Sequence, residues 1–203
     1  MACARAGAGP VARAVWRDRV ALHLGHRVSI DFDFFSAAPL DKKRIETSLA
    51  FMRGAATIQE DENTLVVNAA MPSGRVKVSL FGGISIGRIN APLRARDQTL
   101  LVASLEDLLA TKLKAILDRA EAKDYRDIAA MLSAGVPLER GLGVFAAMYG
   151  KDPGLALRAI GFFKNGDLPA LPEGDQEVLR AARDRVSEIP EVALTYGSLT
   201  AEI

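Results

Sequence analysis

Cysteine is nearly absent from this chain: Cys3 stands alone, so no internal disulfide can form, and two histidines beside it assemble no zinc set. So little cysteine fits a cytoplasmic home. No apolar run approaches the roughly 20 residues that a membrane-spanning helix needs. The N-terminus carries Ala and Arg without the continuous apolar stretch of a secretory signal. Excess charge of either sign is missing as well. Lys and Arg number 26 against 25 Asp and Glu, so any nucleic-acid contact must come from a local patch and not from the field of the whole molecule. Internal repeats are absent, and low complexity is confined to the first residues. What is present is 49% hydrophobic and 25% charged residues over 203 positions, enough for one domain, or a domain with a helical extension, to bury a core.

The most informative stretch is His26-Arg27-Val28-Ser29-Ile30-Asp31-Phe32-Asp33-Phe34-Phe35. Side chains alternate along a strand, so Asp31 and Asp33 share one face while Ile30, Phe32 and Phe34 share the other. Two adjacent carboxylates repel, and a cation between them relieves the repulsion. Hard oxygen ligands suit Mg²⁺ or Mn²⁺ and thus phosphate chemistry. The plain alternative is an edge strand with its polar face in water, because such alternation is what half-buried strands show.

Along the rest of the chain, residues 20–24 read as the end of a helix closed by Gly25, and residues 28–35 as the acidic strand. Residues 40–52 carry apolar side chains at helical spacing. Residues 56–60 and 64–70 read as strands joined by the polar turn Asp61-Glu62-Asn63. After Pro72-Ser73-Gly74, residues 75–81 alternate Val76, Val78 and Leu80 with Arg75, Lys77 and Ser79, which completes a meander. Residues 84–98 read as a loop with one short strand, and 99–103 as another short strand. Ser104-Leu105-Glu106-Asp107 resembles a capping box with Asp at its last position. An amphipathic helix follows at 105–119, then helices near 123–133, 137–149, 153–164 and 173–188. The expected class is therefore α+β, a small mixed β-sheet bearing the Asp-x-Asp strand with a C-terminal helical half. The divisions are 1–19 as an atypical lead-in, 20–103 as the α/β core and 104–203 as the helical part.

Two further features carry chemistry. Lys112 falls on the apolar stripe of its helix, where a lysine needs an anion or ligand unless it snorkels to water. Asp124 and Asp127 lie three residues apart on one helix, near its start, where the helix dipole favours acids. Capping accounts for one of them more easily than for two.

The run Leu24-Gly25-His26-Arg27-Val28-Ser29-Ile30-Asp31-Phe32-Asp33-Phe34-Phe35-Ser36 closely resembles a signature of the AbiEii/AbiGii toxin group of nucleotidyltransferases. So does the block from Val102 to Leu108, with Lys112-Leu113, Arg119 and Lys123-Asp124-Tyr125-Arg126-Asp127-Ile128 after it. The resemblance runs from about residue 20 to about 190. It implies a nucleotidyltransferase fold and a metal-dependent transfer of NMP from an NTP to an acceptor. RNA, with the 3′ end of tRNA first among candidates, is the acceptor it implies, within a toxin–antitoxin or abortive-infection system that supplies a cognate antitoxin as partner. By position, Asp31 and Asp33 would be the metal ligands, catalytic through two ions roughly 4 Å apart. Ser29 would hydrogen-bond a phosphate oxygen, and Lys112 would neutralise the triphosphate. Arg27 would touch phosphate or, in the preferred form, brace the strand. Asp124 or Asp127 would orient or deprotonate the acceptor, with Asp124 favoured. His26 would be structural. A glycosyltransferase or phosphatase origin for Asp-x-Asp has no supporting signal elsewhere in the chain.

One departure bears on activity. Members of the group carry Gly-Gly-Thr-Ala shortly before this run, where bare backbone meets the nucleotide phosphates. Here those positions read Trp16-Arg17-Asp18-Arg19, and an indole does not fit a backbone-to-phosphate contact. Codons exist for these four residues that yield Gly-Gly-Thr-Ala when read one base later. A shifted frame over the first ~19 residues is therefore expected, and the DNA sequence tests it. The alternative function that follows is a catalytically inactive nucleotidyltransferase-fold protein that still binds nucleotide, RNA or antitoxin.

Overall fold

The computed structural model describes residues 20–26, 31–71, 74–94 and 101–199. Arg27, Ser29, Trp16-Arg17-Asp18-Arg19 and the first part of the expected acidic strand lie outside the described residues.

The sheet follows from alternation. Strand β1 (Asp31–Phe35) pairs in parallel with β4 (Gly74–Phe81), which continues antiparallel to β3 (Thr64–Met71) and then β2 (Ala56–Asp61), in the order β1-β4-β3-β2. β2, β3 and β4 form the expected meander. One sheet face carries Leu65, Val67, Ala69, Val78 and Leu80, which bury against Ile45 of α2 (Lys42–Ser48) with Phe34 and Leu40 packed beside them. The other face carries the alternate residues and is polar where it matters: Asp31 pairs with Lys77, Asp33 with Ser79, and Phe35 with Phe81. Both faces are thus specified by period two, since a one-residue slip would bury the aspartates and expose the valines. At the free edge, β2 bulges between Thr57 and Gln59 and leaves Ile58 58% exposed.

Residues 40–52 are not one helix. α2 is capped by the Asp41 side chain on Arg44 N, stops at Leu49 (φ −100°, ψ 112°), and a 3₁₀ turn takes Ala50–Met52. Thr47 bonds the carbonyls of Lys43 and Arg44, an arrangement that weakens a helix from within. The break lets Leu49, Phe51 and Met52 pack beneath the sheet. Two short strands, β5 (Leu93–Arg94) and β6 (Leu101–Val102), pair with each other apart from the main sheet.

The helices after the sheet gather around α3 (Leu105–Asp118), against which α4 (Ala122–Ser133), α5 (Leu138–Tyr149) and α6 (Pro153–Ile160) pack. The cap expected at Ser104 forms: its hydroxyl oxygen accepts from Asp107 N at 3.1 Å. The Asp107 carboxylate serves differently from an ordinary capping box. It accepts from Ile89 N and from the Ser104 hydroxyl and so ties the preceding loop to α3, and burial pushes its carboxyl above the usual range despite these bonds. Leu108, Leu109 and Leu113 are fully buried with Ile128 and Met131 of α4, Leu142 and Phe145 of α5, Ile160 of α6 and Leu179 of α7 (Glu173–Arg185). α1 (Val20–Leu24), closed by Gly25 at φ 61°, joins this same cluster through Val20.

Among the described residues beyond α7, 186–199, the chain forms no helix or strand, yet it is seated. Tyr196 and Arg88 exchange backbone hydrogen bonds of 2.9 and 3.0 Å, and the Arg88 guanidinium lies 3.8 Å over the Tyr196 ring. A Cβ at Gly143 would stand 2.3 Å from the Pro190 carbonyl oxygen, so α5 admits this strap only where its side chain is absent. Gly143→Ala should therefore lower stability by about 1–3 kcal/mol, as overpacking does. A fall in the urea midpoint, with faster proteolytic cleavage of residues 186–199, is the expected reading. An unchanged midpoint contradicts the contact.

Candidate active site

Asp31 and Asp33 open onto a polar cleft of about 150 Å³ lined also by Ser79, Lys77, Arg119 and Lys123. Each wall has a local cause. Lys77 and Ser79 reach it because β4 lies parallel to β1 in a register that sets them beside the two aspartates. Arg119 and Lys123 reach it because α3 ends at Asp118: Arg119 turns extended (φ −156°, ψ 147°), and α4 restarts three residues later. Glu121 holds both cations at the cleft edge, 2.8 Å from Lys123 Nζ and 3.4 Å from Arg119 Nε.

Lys112, Asp124 and Asp127 do not line this cleft. The Lys112 side chain is 1% exposed and the two carboxylates are 0% exposed. They form an alternating chain of charges. Arg119 donates from Nε and Nη2 to Asp124 Oδ2 at 2.8 and 2.7 Å, and Lys112 Nζ lies 2.9 Å from Asp124 Oδ1 and 2.6 Å from Asp127 Oδ2. Asp127 Oδ1 then meets His26 Nε2 at 2.8 Å. Desolvation works against the Lys112 ammonium, but the charges of Asp127 and Asp124 and their hydrogen bonds outweigh it and hold the group above the usual lysine range. The expected site residues Lys112, Asp124 and Asp127 are thus brought together, buried and paired with one another. A buried ammonium needs carboxylates, and these two are spent on it.

The chain does touch the cleft at one point, Arg119, whose guanidinium anchors on Asp124 and which lines the cleft together with Asp31 and Asp33. Arg119, Lys123, Lys77 and Ser79 were not singled out as site residues from sequence. A signal existed for Lys77 and Ser79, whose alternation marks them as a polar face, but not for which strand they would join.

The donor set fits one kind of ion. Among the described residues no three His, Cys, Asp or Glu side chains gather as a metal cage. Two carboxylates with space and cations beside them match Mg²⁺ or Mn²⁺, which bind through one or two carboxylates and complete their shell with water and substrate phosphates. Among the described residues no helix is long and apolar enough to cross a membrane.

Residues 19–192 match the family model described as nucleotidyl transferase AbiEii toxin, type IV toxin–antitoxin system. A search of curated proteins finds no match.

Proposed function

The chain belongs to the AbiEii nucleotidyltransferase toxins of type IV toxin–antitoxin systems, and from that premise we propose that it moves NMP from an NTP to an acceptor at the Asp31–Asp33 cleft. The observation that carries this reading is the pairing of β1 with β4, which sets two carboxylates and a lysine on one sheet face opposite Arg119 and Lys123. Carboxylates alone would repel a triphosphate, and cations alone would bind it without a place for a divalent ion. Together they suit a metal–nucleotide complex.

In this mechanism Asp31 and Asp33 would hold Mg²⁺ or Mn²⁺, which would supply charge neutralisation at the phosphates. Lys77 and Lys123 serve as point charges for the phosphate oxygens, and Arg119 offers a planar fork. The Ser79 hydroxyl, beside Asp33, is a hydrogen-bond donor for the same group. Asp124 aims Arg119, while Lys112 and Asp127 keep Asp124 in place, so these three act from behind the cleft wall. Ser29 and Arg27, at their positions before Asp31, keep the phosphate-contact and bracing roles that the family likeness implies. RNA, with the tRNA 3′ end first among candidates, is the proposed acceptor, and a cognate antitoxin is the proposed partner.

Incubation with each α-labelled NTP, Mg²⁺ and total tRNA tests the reading. Label on tRNA is expected, and its absence even in a chain with Gly-Gly-Thr-Ala restored at positions 16–19 sinks it. A second reading, nucleotide binding without transfer, is favoured by Trp16-Arg17-Asp18, which stand before the matched segment where a phosphate-contacting glycine loop is expected. Activity gained only on restoring that loop is its expected outcome.

A further inference from the structure

We propose, resting on the cleft being the phosphate end of an NTP site, that the nucleoside of that NTP occupies a second cavity between the end of β1 and helices α3 and α5. This cavity measures about 310 Å³, at the lower bound of small-molecule sites (roughly 300–1,000 Å³), whereas the about 150 Å³ of the cleft falls below it. The cleft is sized for phosphates and not for a whole nucleotide.

The two spaces are joined by shared walls. Arg119 lines both. Phe35 is the next residue on the same face of β1 after Asp33, about 6.6 Å further along the strand, and it lines the second cavity. Its register partner Phe81 lines the cleft, and the two rings stack with centroids 5.0 Å apart at 23°. A ligand whose phosphates lie at Asp31 and Asp33 therefore meets an aromatic wall in the direction of the cavity.

The lining suits a flat group with apolar faces and a polar edge. Ile84, Ile86 and Ala115 supply apolar contact beside Phe35. Tyr149 lines the same space. Burial, then the charges of Asp118 and Asp107, push its phenol up, so it stays a hydrogen-bond donor for a base edge. Stacking of a base on an aromatic ring accounts for about tenfold to a hundredfold in affinity.

Calorimetric titration of the Mg²⁺-loaded full chain with each of the four NTPs and with inorganic tripolyphosphate tests this. At least one NTP should bind about tenfold or more tightly than tripolyphosphate. Phe35→Leu, which keeps apolar bulk without the ring, and Ala115→Leu, which fills the cavity, should each weaken that NTP about tenfold and leave tripolyphosphate unchanged. Equal binding of NTP and tripolyphosphate by the unaltered chain overturns the nucleoside cavity and leaves the phosphate cleft standing, a result that needs no variant to fold. Folded variants that bind NTP normally but bind tRNA ends more weakly also overturn it, since the cavity then holds the acceptor's base. Failure to bind either compound, in a chain with Gly-Gly-Thr-Ala restored at positions 16–19 as well, overturns this inference together with the proposed function.

Discussion

Asp31→Asn and Asp33→Asn, each alone, should lower nucleotidyl transfer by about a thousandfold or more. A carboxamide keeps the size of the side chain and one acceptor oxygen but loses the charge that holds a hard divalent cation. Metal ions contribute several kcal/mol to stabilising charge in phosphoryl transfer, and each 1.36 kcal/mol is tenfold in rate, so loss of the ion alone accounts for about three powers of ten. The same variants should lose Mn²⁺ binding, read by electron paramagnetic resonance in the presence of NTP. That second reading holds whether or not the chain with Trp16-Arg17-Asp18-Arg19 turns over, and transfer itself is best compared in the background with Gly-Gly-Thr-Ala restored. Both carboxylates share one sheet face and one cleft, so the double variant should fall little below either single one. Transfer retained within tenfold, or Mn²⁺ held as tightly as before, would remove the cleft from the mechanism.

What could be read from the sequence and what could not divides along sequence separation. Asp31 and Asp33 were legible because a strand's period is fixed within three residues. The start of α3 was legible because Ser104 and Asp107 cap it from three positions away. Lys77 and Ser79 showed as a polar face, but their place beside the aspartates depends on a parallel pairing across more than forty residues, which no local pattern encodes. Arg119 and Lys123 become cleft residues only through the corner between α3 and α4. The end of α2 at Leu49 was missed because apolar spacing continues through it; the break serves the underside of the sheet. Lys112 illustrates a different limit. Its position on an apolar stripe correctly marked it as needing anions, yet the pattern could not choose between a ligand's phosphates and the protein's own carboxylates. The structure pairs it with Asp124 and Asp127, the very residues whose doubled presence capping did not explain.

That pairing makes Lys112→Met the substitution with the largest expected effect on stability. Methionine fills much of the same volume, so little of the loss comes from packing. What is lost is the cation between two carboxylates that have no exposure to water. Breaking a buried ion pair by removing one partner costs about 3–5 kcal/mol, because the other charge is left uncompensated. Here two are left, although Arg119 and His26 still touch them, and the upper part of that range is expected from urea unfolding. Adding Asp124→Asn and Asp127→Asn to Lys112→Met should recover a large share, since the three groups act as one unit and their effects are not additive. The pH dependence carries a sign that can be checked. Lys112 is held above the usual lysine value of 10.5, so its stabilisation is complete below that value and is lost as pH rises through the higher folded-state value. Unfolding free energy should thus fall in the alkaline range beyond 10.5 for the unaltered chain, and this component of the fall should vanish in Lys112→Met. A lysine whose task was to bind the triphosphate directly would behave differently. Its loss would weaken tripolyphosphate binding while leaving the unfolding midpoint nearly where it was, and that outcome would return Lys112 to the cleft.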